Sequence, residues 1–235
     1  MLQTLPSHGV TSVIAHRGAS RAERENTVTA FRRAAELGAD MVELDVRRSA
    51  DGGLVVHHDA HLEDGRAVSS VSVADLPDHV PTLDAALDAC AGMAVNIEIK
   101  NDPAEPGFDA DRTLSDDIAA LVRARGETDR ILVSSFDRPS LERLRAVADP
   151  PIATAWLVAA PPDDVVDLLV AGGHQALHPW WQAVDALLIE RCHRAGLAVN
   201  VWTCDEPDAI GRLAAWGIDG ICTNVPDVAV AVLRG

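Results

Sequence analysis

The sequence predicts an α/β chain folded as a closed (β/α)8 barrel, and three observations predict it. Eight short apolar runs alternate with eight helical patterns from end to end, which means parallel strands joined by crossovers. Eight such units in 235 residues suit a closed barrel. No G-x-G-x-x-G follows the first run, which weighs against an open doubly wound sheet, the structural alternative.

Strands are expected at 13–16, 41–46, 95–100, 131–135, 153–157, 176–178, 198–203 and 220–223. Helices are expected at 27–37, 83–91, 114–125, 139–147, 163–171, 186–195, 206–216 and 226–233. Thr82 and Asp205 suit N-caps, and Pro139 and Pro226 suit first helical positions. Gly38, Gly126, Gly172, Gly196 and Gly217 suit helix stops. Residues 47–59 break the alternation. Asp51-Gly52 between apolar runs is a hairpin signal, so this stretch reads as a short hairpin excursion after the second strand, carrying His58 over the barrel mouth. No linker interrupts the chain, so residues 1–235 read as one domain.

Composition excludes several classes. A formal net charge of −16 argues against a nucleic-acid surface and against stable association with an anionic membrane. No stretch approaches the roughly 18 apolar residues of a membrane span. Residues 1–9 lack the cationic flank and apolar run of a signal peptide, so a cytoplasmic location is expected. Cys90, Cys192, Cys204 and Cys222 form no C-x-x-C pair and read as small buried hydrophobes. Lys100 is the single lysine among twenty basic residues, and it lies on a strand beside acids.

In this fold the site lies at the C-terminal ends of the strands. The first strand ends in His16-Arg17-Gly18. Histidine exchanges a proton near neutral pH, and arginine presents a fork that matches two phosphate oxygens. Alternation along the second strand puts Glu43 and Asp45 on one face, toward the mouth, with Val42, Leu44 and Val46 under the helices. Two such carboxylates repel unless a positive group intervenes. A hard cation, Mg²⁺ or Ca²⁺, would supply it, and so would arginines such as Arg47. The third strand aligns Asn96, Glu98 and Lys100, so Glu98 can complete a three-carboxylate metal site and Lys100 can meet an anion. Of His57 and His58, alternation lets one face the mouth, and His58 with Asp59 is the choice. Asn26 reads as a helix cap or as an organiser of the His16 loop, the cap being the simpler reading. His178 either touches substrate or packs beside Trp180 and Trp181, and Trp202 either walls a small polyol or is plain core.

These residues, with Glu25-Asn26-Thr27, Asp51-Gly52, Pro81-Thr82-Leu83, Ser134-Ser135-Phe136, Trp202-Thr203 and Thr223-Asn224-Val225-Pro226, resemble the glycerophosphodiester phosphodiesterases in order and spacing over nearly the whole chain. The resemblance implies a TIM-barrel enzyme that hydrolyses glycerophosphodiesters to sn-glycerol 3-phosphate and an alcohol. It implies a divalent metal on Glu43, Asp45 and Glu98, acid–base catalysis by His16 and His58, and phosphate contacts from Arg17 and Lys100. Related readings are a barrel phosphodiesterase for lysophospholipids and a non-catalytic phospho-ligand binder. The chain departs from the family at Arg24, where a proline is usual, and at 61–79, which is short and acidic where a longer insertion is usual. The second departure leaves the alcohol portion open.

Overall fold

The computed structural model describes residues 10–235, so the reading of residues 1–9 lies outside the described residues. The chain runs β1 (Ser12–His16), α1 (Val28–Glu36), β2 (Met41–Arg48), β3 (Leu54–Val56), α2 (Leu83–Ala89), β4 (Ala94–Ile99), α3 (Thr113–Arg125) and β5 (Ile131–Ser135). It continues α4 (Arg138–Val147), β6 (Ala153–Val158), α5 (Val165–Gly172), β7 (Ala176–Pro179), α6 (Ala186–Arg194), β8 (Ala198–Val201), α7 (Pro207–Ala215), β9 (Gly220–Thr223) and α8 (Pro226–Arg234). All strands but β3 pair in parallel, and β1 pairs with both β9 and β2, so the sheet closes into the expected eight-stranded barrel.

Pleat alternation divides the strand residues between two environments. On β2 and β4, Val42, Leu44, Val46, Val95, Ile97 and Ile99 face outward and are buried with Phe31, Leu83, Leu87, Ile118 and Val122 of α1–α3. A second outer cluster joins Val13, Leu177, Val199, Val201 and Ile221 to α5–α8. Each such side chain contributes about 1.5–3 kcal/mol by burial. Inside, the floor is narrow and built largely of small residues: Leu132, Ala153, Ala155, Ala176 and Ala198. Above it the inward positions turn polar. The β2–β4 register sets Glu43 opposite Asn96 and Asp45 opposite Glu98, which raises the carboxylates one layer at a time toward the mouth.

The excursion after β2 is a hairpin, as expected. β3 pairs antiparallel with the end of β2, Val46 opposite Val56, and remains outside the closed ring. Its turn is fastened by Ser49, whose backbone N–H donates to the Gly53 carbonyl at 2.9 Å, and Gly52 takes a positive φ of 84° there. A satellite core of Val55, Leu62, Val68, Val71 and Val80 anchors the segment that follows. All four cysteines are buried and free, as expected of small hydrophobes.

Three local expectations need correction. Helix α5 stops at Gly173, whose φ of 67° makes the left-handed cap, one residue after Gly172. Thr27 caps α1, its hydroxyl accepting from the Ala30 N–H at 3.1 Å, so Asn26 is not the cap. Glu206 holds the N-cap position of α7, and Asp205 is turned to another task described below.

Candidate active site

The site begins with a turn that the sequence must permit. Gly18 has a φ of 81°, and a Cβ there would lie 2.7 Å from the Ala30 carbonyl carbon, so only glycine lets the β1 end fold against α1. The turn brings the Arg17 N–H to Glu43 Oε2 at 2.9 Å. Asn26, itself at a φ of 55°, donates from Nδ2 to Asp45 Oδ2 at 2.8 Å, and its N–H donates to the Arg17 carbonyl at 3.0 Å. Asn26 therefore orders the loop after β1 and holds a carboxylate in place.

Glu43, Asp45 and Glu98 each offer an oxygen, and these oxygens lie within 4.8 Å of one another. Their electrostatics show strain among like charges. Burial, then Asp45 and Glu98, push the Glu43 carboxyl well above its ordinary value, against Arg17. Burial and Asp45 push Glu98 up to about 6, with Lys100 opposing. Burial also works against ionised Asp45, but Lys100, Arg17, His58 and the Asn26 hydrogen bond together hold its carboxyl below the ordinary value. Glu43 Oε1 and Asp45 Oδ1 are buried and accept no hydrogen bond. Orphaned carboxylate oxygens at the centre of an oxygen-only donor set fit a hard divalent cation.

The cationic residues are engaged with these acids. Lys100 Nζ donates to Glu98 Oε1 at 2.8 Å and stands 3.7 Å from Asp45 Oδ1. Arg17 donates to Glu25 Oε1 at 2.9 Å and places Nε 3.4 Å from Asp45 Oδ2. Arg47, the alternative partner for the strand acids, is elsewhere: it donates to the His58 carbonyl from Nε at 2.9 Å and pairs with Glu105 at 2.8 Å.

His16 and His58 line the same cavity of ≈ 130 Å³ with Arg17, Glu43, Glu98 and Lys100. His57 lies off it, its Nδ1 near the Asp59 carbonyl at 2.9 Å. His58 Nδ1 meets Asp59 Oδ1 at 2.7 Å. A carboxylate only accepts, so Nδ1 carries the proton and Nε2 is the exchangeable nitrogen. His16 is fixed in the same tautomer by a longer chain. Asp205 accepts from the Asn224 N–H at 2.8 Å and from Asn224 Nδ2 at 2.7 Å, which turns Asn224 Oδ1 toward His16 Nδ1 at 2.7 Å. Burial and then Arg17 lower the pKa of His16 against the Asn224 hydrogen bond. Burial also lowers that of His58, with Asp45 and Asp59 opposing and Lys100 and Arg17 adding to the lowering.

The far wall is apolar. Phe136 and Trp202 meet edge to face with centroids 5.4 Å apart, and Leu157 lies beside them. Trp202 Nε1 donates to the His178 carbonyl at 2.8 Å. His178 is fully enclosed, paired through Nε2 with Asn200 Nδ2 at 2.9 Å, and burial pushes its pKa down to about 3, so it is a neutral acceptor.

From sequence Asn26 reads as a cap or as an organiser of the His16 loop, the second of which the structure bears out, while Asp205 reads as a cap and Asn224 enters only as part of a resemblance. Because Asn224 positions His16, Asn224→Asp should raise the pKa of His16. A carboxylate in place of the amide favours the imidazolium. The limb of the pH–rate profile that His16 governs should then move up by roughly one unit. An unmoved profile would separate His16 from rate control.

The model of the "Glycerophosphoryl diester phosphodiesterase family" matches residues 16–228. A curated "Glycerophosphodiester phosphodiesterase" of Caldanaerobacter subterraneus subsp. tengcongensis is 29% identical, covering 95% of this chain and 98% of its own length. A solved structure from Silicibacter pomeroyi DSS-3 superposes with a TM-score of 0.89 at 29% identity, over 98% of this chain and 95% of that one. A phosphodiesterase from Oleispira antarctica, solved in complex with the product sn-glycerol-3-phosphate, superposes with a TM-score of 0.84 at 26% identity, over 98% of each chain. The match spans both histidines, all three carboxylates and the closing Asn224, and the chain belongs to the glycerophosphoryl diester phosphodiesterase family.

Proposed function

We propose that this protein hydrolyses glycerophosphodiesters to sn-glycerol 3-phosphate and an alcohol, using a divalent cation, Mg²⁺ or Ca²⁺, with His16 and His58 as its acid–base pair. One observation carries the reading. Three carboxylates, Glu43, Asp45 and Glu98, bring oxygens within 4.8 Å of one another, and Glu43 and Glu98 line the cavity that both histidines line. The product bound to the Oleispira antarctica relative supports the substrate class.

Glu43, Asp45 and Glu98 would hold the cation, which when bound neutralises the acids and stabilises charge developing on phosphoryl oxygens. Lys100 and Arg17, which contact Glu98 and Glu25, would exchange part of those contacts for the remaining phosphate oxygens. Phe136, Leu157 and Trp202 line the cavity and would wall the glycerol carbons. The attacking oxygen gives its proton to one imidazole as its bond to phosphorus forms. The bond from phosphorus to the alcohol oxygen breaks, and the other imidazole protonates that oxygen. This local positive centre also reconciles an anionic substrate with a chain of net charge −16. No helix among the described residues is long and apolar enough to cross a membrane.

The test is an assay of glycerol 3-phosphate release from several glycerophosphodiesters with and without Mg²⁺ or Ca²⁺. Turnover should vanish on chelation and return with the metal. A rate indifferent to chelator would remove the cation from the reading, and failure to release glycerol 3-phosphate from any diester would remove the reading itself.

A further inference from the structure

Two segments from different strand ends border the catalytic cavity. One is the excursion after β2, which carries His58, and the other is the stretch between β4 and α3, which begins at Lys100. They touch, since a Cβ added at Gly107 would lie 2.8 Å from Ser69 Cβ. Arg47 joins them. The pleat of β2 that turns Glu43 and Asp45 inward turns Arg47 inward as well, one layer higher. Its side chain is buried. A buried guanidinium needs a countercharge and hydrogen-bond acceptors. Arg47 finds them away from the carboxylate cluster. Nε and Nη2 both donate to the His58 carbonyl, at 2.9 Å and 2.6 Å, and Nη2 pairs with Glu105 Oε2 at 2.8 Å. Glu105 belongs to the second segment.

His58 depends on this grip for its place. Strand β3 ends at Val56, and the His57 N–H donates to the Asp45 carbonyl at 3.0 Å. His58 lies just past that rung. Its ring is oriented by Asp59, an exposed neighbour on the same loop. Asp59 therefore sets the ring's tautomer and travels wherever the loop goes. Arg47 is rooted instead in the barrel strand that also carries Glu43 and Asp45. Its hold on the His58 carbonyl fixes the imidazole relative to those carboxylates, and supports of this kind keep a reacting group within a fraction of an ångström. Glu105 aims the fork. A lysine at this position would bring a point charge and not the planar two-nitrogen grip.

We infer that Arg47 is a positioning residue for the reaction, which acts through the His58 carbonyl, with Glu105 fixing its fork, to place the imidazole at the cavity. The inference rests on the phosphodiesterase reading above, which gives His58 its role. Its test measures kcat and KM for metal-loaded Arg47→Met, Arg47→Lys and Glu105→Gln, with thermal unfolding to establish that each is folded. Arg47→Met should lower kcat and kcat/KM together by about 10- to 100-fold, with KM little changed, as expected when a reacting group is misplaced by about 1 Å. Arg47→Lys should stay at least about fivefold below the parent in kcat. Glu105→Gln, whose amide oxygen still accepts from the fork, should lose about threefold or less. The deciding readout is the combination with His58→Ala. There Arg47→Met should cost about twofold or less, because the group it positions is gone. A loss that persists in full beside His58→Ala would make Arg47 merely structural and overturn the inference. Near-parental kcat in Arg47→Met or Arg47→Lys, or a loss carried by KM alone, would overturn it too. If Arg47→Met does not fold, Arg47→Lys decides on the same terms, alone and beside His58→Ala. Near-normal turnover in His58→Ala would sink the acid–base reading and this inference with it, whereas turnover lost in His58→Ala and kept in Arg47→Met would sink this inference only.

Discussion

His16→Ala and His58→Ala should each lower kcat by about 10²- to 10⁴-fold, the usual worth of a positioned general acid or base. Each ring is held through Nδ1, by Asn224 and by Asp59, which leaves Nε2 to exchange the proton. On the proposed mechanism the two act on one proton circuit, so the double variant should lose little more than the worse single variant. Stability should change far less. Both side chains are half-buried at the edge of the cavity rather than in the apolar clusters, so the expected cost is about 1 kcal/mol, typical of a single substitution. The measurement is kcat together with thermal unfolding, with and without Mg²⁺. A variant that keeps near-normal turnover would take that histidine out of the mechanism. A variant that loses activity but also loses its metal-induced stabilisation would point instead to a role in assembling the site.

The barrel and the carboxylate faces were legible because they depend on local rules. Period-two alternation decides that Leu44 goes outward when Glu43 and Asp45 go inward, whatever the neighbouring strand does. The order of apolar runs decides the parallel topology. The supporting polar residues were not legible, because their partners are distant in sequence. Asn26 reaches Asp45 across 19 residues and Asn224 reaches His16 across 208. Asn and Asp just before a helix are good local caps, so capping was the cheaper reading for Asn26 and Asp205. The choice of His58 over His57 agrees with the cavity, but not for the reason of alternation. Strand β3 ends at Val56, and the backbone beyond it is directed by Arg47 gripping the His58 carbonyl. Arg17 shows the same limit. Sequence identifies a fork able to take phosphate, and only the fold shows that fork already committed to Glu25 and close to Asp45.

Glu98→Gln and Asp45→Asn should change the stability of the metal-free protein in opposite directions, though both should abolish turnover. Glu98 binds its proton more tightly folded than unfolded, its pKa standing at about 6 when folded. Its penalty is therefore absent at low pH. The penalty grows as pH rises from the ordinary carboxylate value through about 6, and is complete above that. A shift of this size is worth roughly 2 kcal/mol. Glu98→Gln removes the penalty and should raise the metal-free Tm at pH 7.5 by several degrees. Asp45 has the reverse sign. Lys100, Arg17 and Asn26 favour its ionised form, so Asp45→Asn leaves two cations without their shared partner and should lower Tm. In the unaltered protein a saturating divalent cation should take over the neutralisation. At about 100 times its Kd it should add ~2.7 kcal/mol. That gain should fade as pH drops below about 6 and protons compete for Glu98 and Glu43. Calorimetry over pH 5–8 with and without Mg²⁺ or Ca²⁺ reads all three effects. A metal-free Glu98→Gln protein less stable than its parent at pH 7.5 would mean that Lys100 already neutralises the cluster, and the acids would need no cation to coexist.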